Sequence, residues 1–146
     1  MASDEMNAFN KKIIDEFRAN GGKVGPPFAG APMILLTTKG AKSGRLLTTP
    51  LVYNQEGEQM TIIASMAGAP NNPAWYHNIV ANPRIEVEVG TEKFWVNARE
   101  TNGEERDTLY AKQAAKFPAF ADYETKTTRR IPVFVLTRQT RGADVG

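Results

Sequence analysis

Cysteine is absent from this chain of 146 residues, and histidine occurs once, at His77. Without cysteine there is no disulfide framework, no thiolate ligand for a metal ion and no cysteine nucleophile. A single histidine cannot build a histidine-rich metal centre, so we expect no bound metal. Because the protein does not need an oxidising compartment, we infer that it is cytoplasmic.

Long apolar segments are missing as well. No run approaches the ~20 apolar residues of a membrane-spanning helix, and residues 1–20 lack the basic start and apolar centre of a signal peptide. The net charge is only +2, and no block of basic residues with interleaved aromatics occurs. We therefore expect no membrane span and no nucleic-acid partner.

The length suits one domain, 1–146, because a chain of ~150 residues buries roughly 70% of its extended-chain surface. A first helix within residues 1–20 is predicted from apolar residues at helical spacing, which are Met6, Phe9, Ile13 and Phe17. We expect this helix to pack on the domain; weak association with a membrane surface is the alternative, disfavoured because acids outnumber bases in it. Residues 140–146 are expected to form a disordered tail.

Residues 40–50 place two glycines, two cations and several hydroxyls between two apolar runs that look like strands. Lys42 and Arg45 supply positive charge, and Gly40 and Gly44 allow the backbone to approach a ligand. This connection is either an anion-holding loop or an ordinary solvated turn. It matches neither a Walker loop nor a dinucleotide-binding glycine motif, which argues against a nucleotide triphosphatase.

A second helix is predicted to begin with Asn72 as its cap and Pro73 as its first residue, and to end near residue 82. The free N–H groups at such a start favour an anion. Trp75 and Ile79 share one face, so at least one aromatic should be in the core. His77 is either a structural hydrogen-bond partner or a functional residue.

Further strands are predicted at residues 59–65, 84–89, 94–99 and 131–136. The first of these is expected to pair with its predecessor, which contains residues 51–53, through a turn at residues 55–57. A capping-box pattern, Thr101 to Glu104, predicts another helix, and residues 120–123 a short helical or looped piece. Hairpins separated by helices indicate an α+β fold with a barrel-like antiparallel sheet.

An ordered set of motifs resembles the deazaflavin-dependent nitroreductase family of actinobacteria, which has the split β-barrel fold and uses the deazaflavin coenzyme F420. The resemblance covers residues 32–136. It is carried by Leu35-Leu36-Thr37-Thr38, Gly40, Lys42-Ser43-Gly44, Thr49-Pro50-Leu51, Ala64-Ser65, Gly68, Asn72-Pro73-Ala74-Trp75-Tyr76-His77-Asn78 and Ile131-Pro132-Val133.

The resemblance implies two groups of coenzyme-binding residues. The phosphate and the polyglutamate tail would lie against Ala41, Lys42, Ser43, Leu47, Thr48, Thr49, Pro50, Leu51 and Val52. The deazaflavin ring and its side chain would lie against Ile63, Ala64, Ser65, Met66, Ala74, Trp75, Tyr76, His77 and Asn78. An anionic tail and a flat ring fit the cationic loop, the helix start and the small residues found at these positions.

The chain departs from the family pattern at several sites. Met66 and Leu47 stand where close relatives carry basic residues, so two cationic contacts to the tail or phosphate are missing. Of the tyrosines that cover the ring in the best-known nitroreductase, only Tyr123 is retained; Phe117, Phe120 and Val52 align with the others. We therefore expect a more apolar substrate site, which we assign to Phe28, Phe117, Phe120 and Tyr123.

The resemblance implies an F420-dependent oxidoreductase that transfers a hydride from the reduced coenzyme to a small-molecule electron acceptor, such as a quinone, an enone or another conjugated or nitroaromatic compound. Ser65 and Tyr123 are the candidate catalytic residues, as hydrogen-bond or proton donors to the developing oxyanion. One alternative is a non-catalytic carrier of a flavin-like cofactor or of an apolar ligand such as a fatty acid. Another is FMN in place of the deazaflavin, because a fold does not determine its ligand. The protein is expected to be a monomer or a dimer.

Overall fold

The computed structural model describes residues 2–26, 28–65, 68 and 71–139. The predicted tail at 140–146 and the predicted coenzyme contact Met66 lie outside these described residues. The described residues form four helices: α1 Ala2–Ala19, α2 Ala74–Ala81, α3 Gly103–Lys116 and α4 Ala119–Thr125. Within the same residues there are seven strands: β1 Met33–Lys39, β2 Leu46–Val52, β3 Asn54–Glu56, β4 Gln59–Ile63, β5 Arg84–Val89, β6 Glu92–Glu100 and β7 Val133–Arg138.

All seven strands form one antiparallel sheet in the order β2-β1-β5-β6-β7-β4-β3. β2 and β3 lie at opposite ends of this order, although only Tyr53 separates them in the chain. The sheet must therefore curl until its two ends meet at Tyr53. The predicted α+β fold with a split, barrel-like antiparallel sheet is confirmed.

The predicted pairing between the strand at residues 59–65 and the strand that contains residues 51–53 is wrong. β4 pairs with β3 and β7, whereas β2 pairs with β1. The chain turns the corner of the barrel at Tyr53, so the residues just before this corner and just after it belong to different ends of the sheet. Pro50 is tolerated in β2 because a strand at the end of a sheet can lack one N–H donor.

Successive side chains of β1 point to opposite faces of the sheet, and both faces are covered. Ile34 and Leu36 face the barrel interior, where Trp75 and Ile79 of α2 pack against them and against inward residues of the other strands. These inward residues include Ile62, Ala64, Ile85, Val87, Val96, Ala98, Phe134 and Leu136. The prediction that an aromatic of α2 belongs to the core is confirmed, since Trp75 is 3% exposed.

The outer face of the sheet carries two separate clusters. Under α1, Ile13 and Phe17 pack on Met33 and Leu35 of β1, as the helical stripe predicted. Under α3 and α4 lies a second cluster made of Ile63, Leu109, Tyr110, Ile131, Val133 and Val135. None of the helices built from the described residues is both long and apolar enough to cross a bilayer.

Two predicted helix caps are wrong. Pro73, not Asn72, is the N-cap of α2, and the side chain of Asn72 accepts a hydrogen bond from Arg129 instead. Asn102, not Thr101, is the N-cap of α3, because the Thr101 hydroxyl donates to the Val133 carbonyl at 2.9 Å. In both cases the side chain that the local pattern assigned to the cap forms a hydrogen bond with a residue distant in the chain instead.

Candidate functional site

A groove of about 650 Å³ lies between the loop at residues 40–45, the start of β2 and the first half of α2. Its walls are formed by Gly40, Ala41, Lys42, Ser43, Arg45, Leu46, Leu47, Ala74, His77 and Asn78. The loop is shorter than the sequence suggested, because residues 46–50 already belong to β2. The predicted basic connection and the predicted helix start thus meet at one surface.

The loop is a tight turn that holds its own shape. The backbone N–H of Gly40 donates to the Arg45 carbonyl at 2.7 Å, and that of Gly44 donates to the Gly40 carbonyl at 2.9 Å. The Ser43 hydroxyl accepts from the Arg45 N–H at 3.1 Å, and a Cβ on Gly40 would lie 2.5 Å from this hydroxyl oxygen. The side chains of Lys42 and Arg45 stay exposed, so their charges remain available to an anion.

Asn78 anchors the loop to the rest of the site. Its Oδ1 accepts a hydrogen bond from the Ala41 N–H at 2.9 Å, and its Nδ2 donates to the Thr38 hydroxyl at 3.0 Å. The side chain is buried, at 7% exposure. Asn78 therefore connects α2 with both the loop and β1, and it sets the distance across the groove.

The positive end of α2 faces the groove. Among the described residues no side chain caps the helix start, and Ala74 and His77 from its first turns line the groove wall. Because helix N–H groups and nearby cations both favour negative charge, this end of the groove suits a phosphate or a carboxylate. This donor set fits a coenzyme that carries a phosphodiester and an anionic tail.

The other two predicted residues of α2 point elsewhere. Trp75 is buried in the barrel, with its ring 6.0 Å from that of Phe134. Tyr76 donates from its hydroxyl to Glu100 on β6 at 3.2 Å, and burial together with the Glu100 charge raises the pKa of Tyr76. Neither side chain lines the groove.

The six predicted residues of β2 divide between the two faces of the strand, as strand geometry requires. Leu47 lines the groove, and Leu51 packs against the barrel core. On the opposite face, the Thr48 hydroxyl is 2.9 Å from that of Thr37, and Val52 packs against the cluster under α1. By the same alternation, Thr49 lies on the same face of β2 as Leu47, and Pro50 lies on the same face as Thr48. One ligand on one face of the strand therefore cannot contact all six side chains.

Ser65 lies two residues after the end of β4 and is 8% exposed. Its carbonyl accepts hydrogen bonds from the Gly68 N–H at 2.9 Å and from Arg129 Nη2 at 2.7 Å. Arg129 Nη1 also donates to the Ala64 carbonyl at 3.1 Å and to Asn72 Oδ1 at 2.8 Å. Sequence reasoning missed Arg129, because its acceptors lie 57 to 65 positions away and leave no local motif.

Gly68 brings the Ser65 segment against α4. With φ at +80°, Gly68 packs so closely that an added Cβ would lie 2.9 Å from the Tyr123 carbonyl oxygen and 2.8 Å from Lys126 Cβ. The two candidate catalytic residues, Ser65 and Tyr123, therefore belong to segments in direct contact. Glycine is required here for both its conformation and its lack of a side chain.

The predicted apolar substrate site is only partly assembled. The rings of Phe117 and Phe120 lie 6.4 Å apart, and those of Phe120 and Tyr123 lie 5.2 Å apart, both with edge contacts. Phe28 belongs instead to the cluster under α1, with its ring 6.1 Å from that of Phe9. The structure brings three of the four predicted substrate residues together and leaves Phe28 apart.

Polar contacts from α3 hold α4 in place, since α4 itself has no buried residue. The Tyr110 hydroxyl donates to the Phe120 carbonyl at 2.5 Å, and burial raises the pKa of Tyr110 to about 12. The guanidinium of Arg106 donates to Glu124 at 3.4 Å and to the Ile131 carbonyl at 3.0 Å. These contacts fix the position of the three neighbouring rings of Phe117, Phe120 and Tyr123, which form an aromatic wall.

Comparison with known proteins gives one consistent result. The model of the family described as F420H2-dependent quinone reductase matches residues 10–138. An F420H2-dependent quinone reductase of Mycobacterium tuberculosis is 38% identical over 127 residues, which cover 84% of this chain and 85% of the relative. The solved structure of an F420H2-dependent reductase, FDR-A, has a TM-score of 0.66 at 40% identity, over 72% of this chain and 93% of that one. A domain-swapped dimer has a TM-score of 0.68 at 34% identity, over 93% and 99%.

Proposed function

Because this chain belongs to the F420H2-dependent quinone reductase family, we propose that it transfers a hydride from reduced F420 bound along the groove at α2 to a quinone. The protein is an F420H2-dependent reductase, and this family assignment disfavours both the carrier and the FMN alternatives. The observation that carries the proposal is the meeting of the cationic loop with the uncapped start of α2.

The anionic part of the coenzyme is assigned to the loop side of the groove. Lys42 and Arg45 provide exposed positive charge, and the first turn of α2 adds N–H donors without a competing side-chain cap. Asn78 keeps these two elements at a fixed separation. We therefore assign phosphate and tail binding to Ala41, Lys42 and Ser43, together with the groove-facing Leu47.

The ring is assigned to the side where Ser65 and Tyr123 lie in neighbouring segments. When bound, the coenzyme supplies the hydride and its two electrons. The chain's own task is to orient the acceptor, to exclude water with Phe117 and Phe120, and to deliver a proton to the acceptor oxygen that gains negative charge. The hydroxyls of Ser65 and Tyr123 are the groups we assign to that oxygen. A quinone fits because its flat, apolar ring suits this aromatic wall.

The test is a fluorescence titration of F420 with the wild type, with a Lys42→Ala, Arg45→Ala double variant and with Lys112→Ala as control. Lys112 is also exposed, but it pairs with Glu56 and does not line the groove. We expect saturable binding by the wild type and the control, and binding about 10- to 100-fold weaker in the double variant. Failure of the wild type to bind F420 would reject the proposed function.

The acceptor is tested by oxidation of reduced F420 with quinones and enones as substrates. We expect Tyr123→Phe to lower the rate with a quinone, because the variant lacks the proton-donating hydroxyl while keeping the ring. A Tyr123→Phe variant with the full wild-type rate would remove Tyr123 from the proton path.

Assembly and location are proposed separately. We propose that the chain forms a dimer, supported by the similarity to a domain-swapped dimer, and light scattering of the purified protein tests this. We also propose that the enzyme works in the cytoplasm, in keeping with the absence of cysteine.

A further inference from the structure

The guanidinium of Arg129 joins the two ends of the connection between β4 and α2. At one end it donates to the carbonyls of Ala64 and Ser65, at 3.1 and 2.7 Å. At the other end it donates to Asn72 Oδ1 at 2.8 Å, just before α2 begins. Arg129 itself comes from the segment between α4 and β7, so one side chain ties together three parts of the chain.

We propose that Arg129 is a positioning residue of the site: it sets Ser65 relative to the first turn of α2, and so shapes the surface on which the deazaflavin ring binds. This inference rests on the proposed function. It gives the proposed ring site a fixed support, just as Asn78 supports the loop that lines the groove.

The chemistry of arginine suits this role. A guanidinium presents several N–H donors in one rigid plane, so it can hold acceptors from two segments at a fixed angle. Charge-assisted hydrogen bonds are stronger than neutral ones, and partial burial strengthens them further. Arg129 is half-buried, and desolvation by burial lowers the pKa of its guanidinium. Lysine has a single ammonium group and cannot reproduce this planar arrangement.

A second contact makes the position of Ser65 matter for the reaction. Gly68, whose N–H shares the Ser65 carbonyl with Arg129, packs on the backbone of Tyr123. The segment is thus held at its base by Arg129 and against α4 by Gly68. Loss of the Arg129 contacts would let Ser65 move relative to Tyr123.

The neighbouring arginine provides a matched control. Arg130 has an exposed side chain that pairs with Asp107 of α3 at 2.7 Å and touches the Gly103 carbonyl at 3.4 Å. It makes none of the contacts to residues 64, 65 and 72 that Arg129 makes. Arg130→Ala therefore removes an arginine from the same segment without touching the proposed support.

The experiment compares Arg129→Ala, Arg129→Lys and Arg130→Ala in two measurements. The first is hydrogen exchange of the Gly68 amide by NMR in the coenzyme-free protein, where we expect both Arg129 variants to exchange about tenfold faster than the wild type. The second is titration with complete F420 and with its deazariboflavin fragment, which lacks the phosphate and the tail. Arg129→Lys keeps the charge and serves as the test variant if Arg129→Ala does not fold.

We expect the Arg129 variants to bind both ligands about tenfold more weakly, with unchanged stoichiometry, while Arg130→Ala binds like the wild type. Lys42→Ala should weaken only the complete coenzyme, because the fragment has no phosphate to contact. Either result in the Arg129 variants, exchange at Gly68 as slow as in the wild type or an unchanged affinity for the fragment, would overturn the inference. If the wild type binds neither ligand, the proposed function fails; if it binds F420 but the Arg129 variants bind the fragment normally, only this inference fails.

Discussion

Two substitutions of Asn78 separate the geometry of the groove from its charge. Asn78→Asp preserves size and shape, and its carboxylate can accept from the Ala41 N–H and from the Thr38 hydroxyl, which is free to rotate. Asn78→Ala removes both contacts. The first variant therefore adds a negative charge to an intact groove, and the second loosens a groove of unchanged charge.

The structure sets the expected magnitudes. Thr38 is 1% exposed, so Asn78→Ala takes a partner from a buried hydroxyl as well as from the Ala41 N–H. We expect the free energy of unfolding to fall by about 2–4 kcal/mol. Asn78→Asp keeps both contacts but places a carboxylate at a side-chain position that is only 7% exposed, so we expect a loss of about 1–3 kcal/mol. For scale, two like unit charges ~8 Å apart at an effective dielectric constant of ~20 repel by about 2 kcal/mol, which corresponds to roughly 30-fold in Kd.

Urea denaturation measures the stabilities, and fluorescence titration of F420 at about 0.05 M and about 0.5 M NaCl measures the affinities. The loss of affinity in Asn78→Asp should shrink at high salt because ions screen the added charge. The loss in Asn78→Ala should persist, because it comes from a misplaced loop. Wild-type affinity of Asn78→Asp at low salt would refute the placement of the phosphate in this groove.

Two further predictions concern the support of α4. Tyr110→Phe removes the donor to the Phe120 carbonyl and should lower the unfolding free energy by about 1–2 kcal/mol at pH 8. The folded-state pKa of Tyr110, about 12, lies above the unfolded value of 10.0, so its contribution is complete below pH 10 and is lost as the pH rises through 12. Between pH 10 and pH 12 the wild type should lose on the order of 2–3 kcal/mol of unfolding free energy that the variant does not lose. Urea denaturation of both proteins across this pH range measures the difference, and an equal loss in the two would contradict the prediction. In thermal unfolding, Gly68→Ala should destabilise the protein by about 2 kcal/mol more than Gly57→Ala. Both glycines have a positive φ, but of the two only Gly68 would place an added Cβ against other atoms. Equal losses of stability would disprove the contact with Tyr123.

Local patterns predicted local structure well. The apolar spacing of α1 placed Ile13 and Phe17 in the core, and strict alternation identified the β5–β6 hairpin. These signals succeed because one buried face imposes its own period on the residues that form it. From residue types alone, the cationic loop and the helix start were also proposed as an anion site. The structure places both at one groove, and anion binding there stays a prediction.

The remaining features depend on contacts between distant parts of the chain. Nothing near Tyr53 indicates that the strands on its two sides belong to opposite ends of the sheet. Asn72 had the composition of a cap, yet the partner that decides its role, Arg129, lies 57 residues later. The alternation of side chains along β2 could have divided its predicted coenzyme contacts between two faces. The resemblance to a family instead assigned all of residues 47–52 to the coenzyme.

The order of the strands also has a consequence for how this chain is made. β7, the last strand to be synthesised, lies between β6 and β4, and it joins the β3–β4 hairpin to the rest of the sheet. The barrel therefore cannot close during translation until residue 138 has been added. Until then the apolar interior side chains of β4 lack the neighbours that β7 provides. Pairings between strands so far apart in sequence form slowly and leave aggregation-prone edges open meanwhile. A nascent chain stalled before β7 is the form of this protein with the greatest need of a chaperone.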